Sequence, residues 1–149
     1  MTGLDADAAA LHLARKNAGP LAVTLVEGLS STAELPQESF DVVLSSLFFH
    51  HLAGEAKRTT MRRAYGWLRP GGSNHIADWG RAANPLMRGL FYGIQLLDGF
   101  EATSDNVRGL LPTMLEEAGF EAVEETRSES TVFGTLSFYR GVRGRAAAG

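Results

Sequence analysis

The chain has 149 residues, a formal net charge of −3 and no cysteine. This length suits one domain with its own core, and the absence of cysteine excludes disulfides and thiolate chemistry. The sequence contains no cluster of lysine and arginine of the kind that binds nucleic acid. Its apolar runs are all shorter than the roughly 20 residues that span a bilayer. No secretory signal is visible at the N-terminus, so we expect a cytoplasmic protein with no membrane partner.

The first third of the chain predicts a strand, a helix and a second strand. Thr2 to Asp5 is the short first strand, and a helix rich in alanine and leucine follows from about Asp7 to Ala18. Gly19-Pro20 ends this helix. The run from Ala22 to Glu27, rich in valine and leucine, predicts the next strand, and a polar connection covers 28–39.

The middle third predicts a buried strand, a helix and another strand. The continuous apolar run from Asp41 to Ser45 is typical of a fully buried strand. A helix is expected from about Gly54 to Leu68, and a Pro-Gly-Gly turn leads from it into a strand from about Asn74 to Trp79. The inner stripe of that helix consists of Met61, Ala64, Tyr65 and Leu68.

The last third begins with a segment that is apolar over more than half of its helical circumference, Asn84 to Phe100. Such a helix is deeply buried or covers a ligand. A second helix is predicted to begin near Leu111, with Pro112 in its first turn. Two strands then follow, at 120–126 and 131–142, and the small-residue tail 143–149 is expected to be disordered.

This order of elements predicts the fold class. Helices that alternate with strands, followed by two successive strands, indicate an α/β fold with a doubly wound, mostly parallel sheet of the Rossmann type. The last two strands form an antiparallel edge pair. Ligands of such sheets bind outside the carboxyl ends of the strands.

Two sequence runs carry a resemblance to a known family. Ser39 to Leu52, followed by the run Leu68-Arg69-Pro70-Gly71-Gly72, resembles class I S-adenosylmethionine-dependent methyltransferases. The resemblance covers 1–142 as a partial domain. It implies S-adenosylmethionine as cofactor and methyl transfer to a small-molecule substrate, with no nucleic acid involved.

One part of the family pattern is missing. The family's glycine-rich cofactor loop should lie roughly 20 residues before the acid that binds the ribose, but only four residues precede Asp5. The resemblance therefore predicts a domain truncated at its N-terminus, without the family's first strand and helix. The sheet edges left open by this loss are expected to pair with each other or with another copy, giving a homodimer through the open sheet.

The first cofactor candidates end the first strand. A carboxylate at Asp5 can accept hydrogen bonds from both hydroxyls of a ribose. The alternative is that Asp5 or Asp7 caps the following helix. The resemblance favours ribose binding by Asp5, with Ala6 beside it.

Two further strand ends are cofactor candidates by resemblance. The first is formed by Gly28, Leu29 and Ser30, where the family usually has Gly-Asp. Because Leu29 replaces the acid that bonds the adenine amino group, only backbone amides are left to bind adenine there. The second is formed by Ser46 and Leu47, at the end of the central strand.

The catalytic candidates are His50 and His51, which follow that strand in a position where the family often reads Leu-His-His. A structural histidine that bonds the loop backbone is the alternative to a general base, and the four histidines have no spacing that suits a metal. The substrate-binding candidates are Asp78, Trp79, Arg81 and Phe91. The first three end the next strand, and for Trp79 a packed rim aromatic is the alternative.

The sequence thus predicts a small-molecule methyltransferase whose activity is impaired if the cofactor loop is needed. The alternative is a non-catalytic methyltransferase-like fragment that acts at most in protein association. A nicotinamide oxidoreductase ranks third, because it needs the same glycine-rich loop and lacks a visible hydride-transfer site.

Overall fold

The structure, a computed structural model, describes residues 1–80, 105–106, 108–132 and 134–145. The helices in these ranges are α1 Ala8–Ala18, α2 Gly54–Trp67 and α3 Leu111–Glu117, with a 3₁₀ turn at Phe49–His51. The strands are β1 Thr2–Asp5, β2 Thr24–Glu27, β3 Phe40–Ser46, β4 Leu68–Trp79, β5 Glu121–Thr131 and β6 Gly134–Val142. The predicted helix at 84–100, with Phe91, and the predicted site residue Arg81 lie outside the described residues.

The chain divides into two compact units, Met1–Leu35 and Pro36–Gly149. In the first unit β1 and β2 are parallel, with Asp5 opposite Glu27. Asp7 caps α1 through a hydrogen bond that its Oδ1 accepts from the Ala9 amide at 2.8 Å. No residue of this unit is buried, so the alanine- and leucine-rich side of α1 forms no buried face.

The second unit contains a four-stranded sheet in the order β3-β4-β6-β5. β3 and β4 are parallel, whereas β4 with β6 and β6 with β5 are antiparallel. The predicted α/β architecture with an antiparallel C-terminal edge pair is therefore confirmed. Pro112 lies in the first turn of α3, as expected.

The core of the second unit lies where α2 and α3 pack on one face of the sheet. The predicted inner stripe of α2 is confirmed for Met61, Ala64 and Leu68, which are all buried. Tyr65 is partly buried and its ring packs edge-on against Phe120, with centroids 5.2 Å apart. The buried apolar cluster consists of Phe49, Met61, Leu68, Ile76, Leu111, Met114, Leu115, Phe120 and Tyr139.

The prediction that 41–45 is a fully buried strand is wrong. Val43 packs against the core, but Val42 is 48% exposed and Leu44 is 75% exposed. Among the described strands β3 pairs with β4 alone. From Val42 to Ser46 the even-numbered side chains point to the sheet face opposite the core, because side chains alternate along a strand. Phe40, which precedes a register shift, packs against the core.

Arg143, the first residue of the predicted disordered tail, makes several hydrogen bonds. The Arg143 guanidinium donates to the carbonyls of Tyr65, Gly66 and Leu68, at 3.2, 3.2 and 2.7 Å, and to Glu38. Its own carbonyl accepts a hydrogen bond from Gly71. A cation that satisfies the last carbonyls of a helix stabilises that helix end, so Arg143 is held in place by the C-terminus of α2.

Within the described part of the chain, none of the helices has the length and apolar character needed to cross a membrane.

Candidate functional site

A buried carboxylate organises the carboxyl end of β4. Asp78 is 0% exposed, and its Oδ2 accepts hydrogen bonds from the Phe48 and Phe49 amides at 3.0 and 2.6 Å. Its Oδ1 accepts from the Trp79 amide at 2.8 Å and from Asn106 Nδ2 at 3.2 Å. These donors satisfy a charge that would otherwise be costly to bury. Asp78 thereby fixes the start of the 3₁₀ turn against the end of β4.

The same carboxylate holds one of the two candidate catalytic histidines. His50 is 4% exposed, and its Nδ1 lies 2.8 Å from Asp78 Oδ1. An ionised carboxylate only accepts hydrogen bonds, so we assign the proton to Nδ1, which leaves Nε2 as the basic nitrogen of a neutral ring. His51 is exposed, and its ring centroid lies 3.9 Å from that of His50. The two rings therefore form a contact pair with one buried and one exposed member.

A buried lysine faces this cluster from α2. Lys57 is 0% exposed, and its Nζ lies 3.7 Å from Asp105 Oδ2. Burial lowers the pKa of the Lys57 ammonium, whereas the negative charges of Asp105 and Asp78 oppose this shift. Asn106, the neighbour of Asp105, is also buried and donates to the Trp79 carbonyl at 3.0 Å. Its Oδ1 is buried and has no hydrogen-bond partner among the described residues.

Strand β6 adds hydroxyl groups to the same region. Ser137 lies opposite Asp78 in the β4–β6 register, and both Ser137 and Tyr139 are buried. Burial raises the pKa of the Tyr139 phenol, and a hydrogen bond with Ser137 opposes that shift. A side chain at Gly80 would overlap Ser137, so the glycine is required for the close approach of β4 and β6.

The end of β3, where Ser46 and Leu47 are cofactor candidates, has an uncommon backbone. Leu47 has φ +49°, in the left-handed region that is rarely occupied by residues other than glycine. Its amide donates to the Ala77 carbonyl at 2.8 Å. Both residues are exposed, and Leu47 is 43% exposed. Strained backbone of this kind concentrates at functional sites.

The remaining cofactor candidates lie in the first unit. Asp5 is exposed, and one of its oxygens accepts a hydrogen bond from the Asp7 amide at 2.9 Å. Capping of α1 belongs to Asp7, so the capping alternative is confirmed for Asp7 and not for Asp5. Ala6 and Leu29 are exposed, Gly28 and Ser30 are half-buried, and the Gly28 amide donates to the Asp5 carbonyl at 2.9 Å.

The structure thus brings Asp78, His50, His51 and Trp79 together in the second unit. The Trp79 ring meets the His50 ring edge-on, with centroids 6.3 Å apart.

Sequence reasoning missed Lys57 and Asn106. Lys57 had a usable signal, because it lies four residues before Met61 and so on the inner face of α2. Asn106 had none. Among the described residues, no three histidine, aspartate or glutamate side chains could hold a metal ion.

An α/β sheet with this strand order, and a polar cluster at the carboxyl ends of its parallel strands, defines a ligand-binding fold of the Rossmann type. A family model described as a methyltransferase domain matches residues 1–72. No curated protein sequence matches the chain.

Solved structures show the same fold over nearly the whole chain. An S-adenosylmethionine-dependent methyltransferase from Methanosarcina mazei has a TM-score of 0.76 at 16% identity, covering 97% of this chain and 82% of that one. The methyltransferase SibL, in its apo form, has a TM-score of 0.72 at 23% identity, covering 97% of this chain and 43% of that one. Phosphoethanolamine N-methyltransferase 2 from Haemonchus contortus, in complex with phosphomonomethylethanolamine and S-adenosylhomocysteine, has a TM-score of 0.77 at 16% identity, covering 97% and 44%.

The match of the methyltransferase-domain model to residues 1–72 and the fold shared with solved methyltransferases bear out the predicted resemblance to class I S-adenosylmethionine-dependent methyltransferases. The Haemonchus structure contains S-adenosylhomocysteine, the demethylated form of the cofactor that the resemblance implies. The chain spans less than half of SibL and of the Haemonchus enzyme.

Proposed function

We propose that this chain binds S-adenosylmethionine and transfers its methyl group to a small-molecule acceptor. The observation that carries the proposal is the Asp78 network, which holds His50 beside exposed His51 where β3 and β4 end. Buried polar networks of this size are costly unless fully bonded, and they concentrate at sites that need fixed geometry.

The described residues suit the cofactor at the position expected for its ribose. Asp5 is exposed at a strand end, and only one of its two carboxylate oxygens is committed to the Asp7 amide. The second oxygen can accept a hydrogen bond from a ribose hydroxyl. We propose Ala6, Gly28, Leu29 and Ser30 as its neighbours in cofactor binding within the first unit. By the resemblance, Ser46 and Leu47 are the residues proposed for cofactor binding in the second unit.

Calorimetric titration of the purified chain with S-adenosylmethionine and S-adenosylhomocysteine tests this proposal. We expect dissociation constants in the range of about 1 μM to 1 mM. Asp5→Asn should weaken binding by about tenfold or more, because a hydrogen bond to a charged group is lost. Glu34→Gln, an exposed change in the same unit, is the matched control and should bind like the wild type. A cooperatively folded chain that binds neither compound contradicts the proposal.

The proposed reaction needs little covalent chemistry from the protein. When bound, the cofactor supplies a methyl group whose bond to sulfur breaks as the acceptor attacks the carbon, so that the electron pair stays on sulfur. The protein aligns the acceptor, excludes water and takes a proton from acceptors that must lose one. We propose exposed His51 as the group that receives this proton. His50, fixed by Asp78, is then a positioning residue behind it.

A transfer assay with radiolabelled cofactor and a panel of small phenols, carboxylic acids and amines tests the role of His51. His51→Gln should lower the rate on phenols by about a hundredfold, the usual range for a lost general base. Carboxylates, which are already deprotonated at neutral pH, should react almost as before. His12→Gln, on the exposed surface of α1, is the control. If His50 and His51 are both replaced and the rate on phenols is unchanged, the assignment is wrong.

A second candidate function is protein association without catalysis. The observation in its favour is the exposure of β3, where Leu44 is 75% exposed and where, among the described strands, only β4 is paired. A chain that self-associates yet shows no affinity for the cofactor in the titration above would favour this candidate. The substrate-pocket role of Trp79 is proposed only for the catalytic function. The same holds for Arg81 and Phe91, both of which lie outside the described residues.

A further inference from the structure

Asn106 shares an acceptor atom with the buried histidine. Its Nδ2 donates to Asp78 Oδ1 at 3.2 Å, and the same oxygen lies 2.8 Å from His50 Nδ1. This Nδ2 also donates to the Trp79 carbonyl at 3.0 Å. Since both partners of the nitrogen are acceptors, its contacts fix the orientation of the Asn106 amide. Asn106 therefore joins the carboxylate and the backbone at the end of β4.

The backbone around Asn106 is itself held in a turn. Asn106 is 0% exposed, and its carbonyl accepts a hydrogen bond from the Gly109 amide at 2.9 Å. The carbonyl of the preceding residue, Asp105, accepts from the Leu110 amide at 3.0 Å, directly before α3 begins. These bonds fix both residues in the turn that leads into α3.

The carboxylate of Asp105 attaches the same turn to α2. Its Oδ2 lies 3.7 Å from the Lys57 ammonium, and a Cβ added at Gly54 would lie 3.0 Å from that oxygen. The carboxylate is therefore beside the first turn of α2, where the helix dipole favours a negative charge. Ala53, the N-cap residue of α2, makes no capping bond through its side chain. The turn is thus attached to α2 through Asp105 and to β4 through Asn106.

A donor held rigidly on one side of Oδ1 limits the directions from which another donor can approach. A carboxylate oxygen offers two lone pairs, and the Trp79 amide also donates to Oδ1, at 2.8 Å. We propose that Asn106 is a positioning residue that fixes the Asp78 carboxylate and, through it, the ring of His50. Its consequence for methyl transfer rests on the proposed function, because that consequence requires His51, in contact with His50, to take a proton from the acceptor.

Nuclear magnetic resonance of the isotope-labelled chain without cofactor tests the positioning directly. The proton between His50 Nδ1 and Asp78 has a resonance of its own. Asn106→Leu should shift or abolish this resonance, because the oxygen that binds the ring loses a donor. Asn74→Leu is the matched control, since it makes the same change on β4 at a similarly buried asparagine, 2% exposed. The control should leave the resonance in place. A folded Asn106→Leu chain with an unchanged resonance overturns the proposal.

A second variant acts on the attachment of the turn to α2, without removing the amide of Asn106. Asp105→Asn keeps the shape of its side chain but removes the charge that faces Lys57, so it should also shift the His50 resonance. Glu116→Gln, which removes an exposed carboxylate from α3, is its control and should not. If Asn106→Leu does not fold, an unchanged resonance in folded Asp105→Asn overturns the proposal.

The transfer assay with phenols and carboxylic acids tests the consequence for catalysis. Asn106→Leu should lower kcat on phenols by about ten- to hundredfold, the cost of a slightly misplaced group, and should leave the rate on carboxylates nearly unchanged. A variant that is only destabilised would lose both rates together, so an equal loss overturns the positioning role in catalysis. A wild-type chain that transfers no methyl group contradicts the proposed function instead, and the resonance comparison still decides whether Asn106 positions His50.

Discussion

At the scale of single residues, buried charge is concentrated around the end of β4. Asp78 and Lys57 are both 0% exposed, and Asp105 is close to Lys57. Among the described residues, the Lys57 ammonium lies near the carboxylates of Asp105 and Asp78. Each of these charges depends on the others, because an isolated ion is expensive to bury. The charges are therefore energetically coupled, although Asp78 also accepts hydrogen bonds from the Phe48, Phe49 and Trp79 amides.

The lysine makes the stability of the chain depend on pH. Burial lowers the pKa of Lys57 below its usual value of 10.5. Between that lowered folded-state pKa and 10.5 the unfolded chain binds more protons than the folded chain, so the free energy of unfolding rises with pH across this window. Below the window the cost of burying the charged ammonium is fully present. Lys57→Met, which has no titrating group at this position, should lack the rise.

Urea unfolding from about pH 7 to pH 10 would measure this difference. Burial raises the pKa of the Tyr139 phenol above 10.0, which lowers stability at still higher pH, but this effect is common to both proteins and cancels in their difference. Lys16→Met, at an exposed lysine on α1, is the control and should follow the wild type. If Lys57→Met shows the same pH slope as the wild type, Lys57 does not carry the effect.

At the scale of helices and strands, the local sequence pattern predicts which elements form. It predicts much less well which of their faces are buried by other elements. β1 is found at Thr2–Asp5 as predicted, and α2 ends within one residue of its expected end. The stripe of α2 was predicted because periodicity is a local property. The exposure of β3 was not predicted, because a continuous apolar run has the same sequence pattern whether or not another element covers the strand.

The contacts that sequence reasoning missed join residues far apart in the chain. Arg143 reaches carbonyls 75 to 78 positions away, and a small-residue tail carries no sign of this. Asn106 reaches Asp78 across 28 positions. By contrast, Asp78 and the two histidines were found as candidates because they end a strand or follow one, where ligands of α/β sheets bind. Their position was predictable, whereas the full burial of Asp78 depends on the tertiary packing.

At the scale of the whole molecule, the two units differ in how much they bury. Met1–Leu35 contains no buried residue, whereas the second unit holds the entire buried core. A segment of about 40 residues or fewer rarely folds by its own apolar burial. The amides of β1 and β2 are therefore expected to open by local unfolding at a lower free energy than those of β4 and β6.

Hydrogen exchange followed by mass spectrometry would measure this difference directly. Without ligand, we expect peptides from β1 and β2 to exchange about tenfold faster or more than peptides from β4 and β6, since each 1.4 kcal/mol of lower opening free energy gives a factor of ten. If the first unit holds the cofactor through Asp5 and residues 28–30, saturating S-adenosylmethionine should slow its exchange, because a ligand that binds only the folded form stabilises that form. Equal protection of β2 and β6 without ligand would contradict the first expectation. Unchanged exchange at 1–35 under saturating cofactor would instead contradict cofactor binding by the first unit, and with it the role proposed for Asp5.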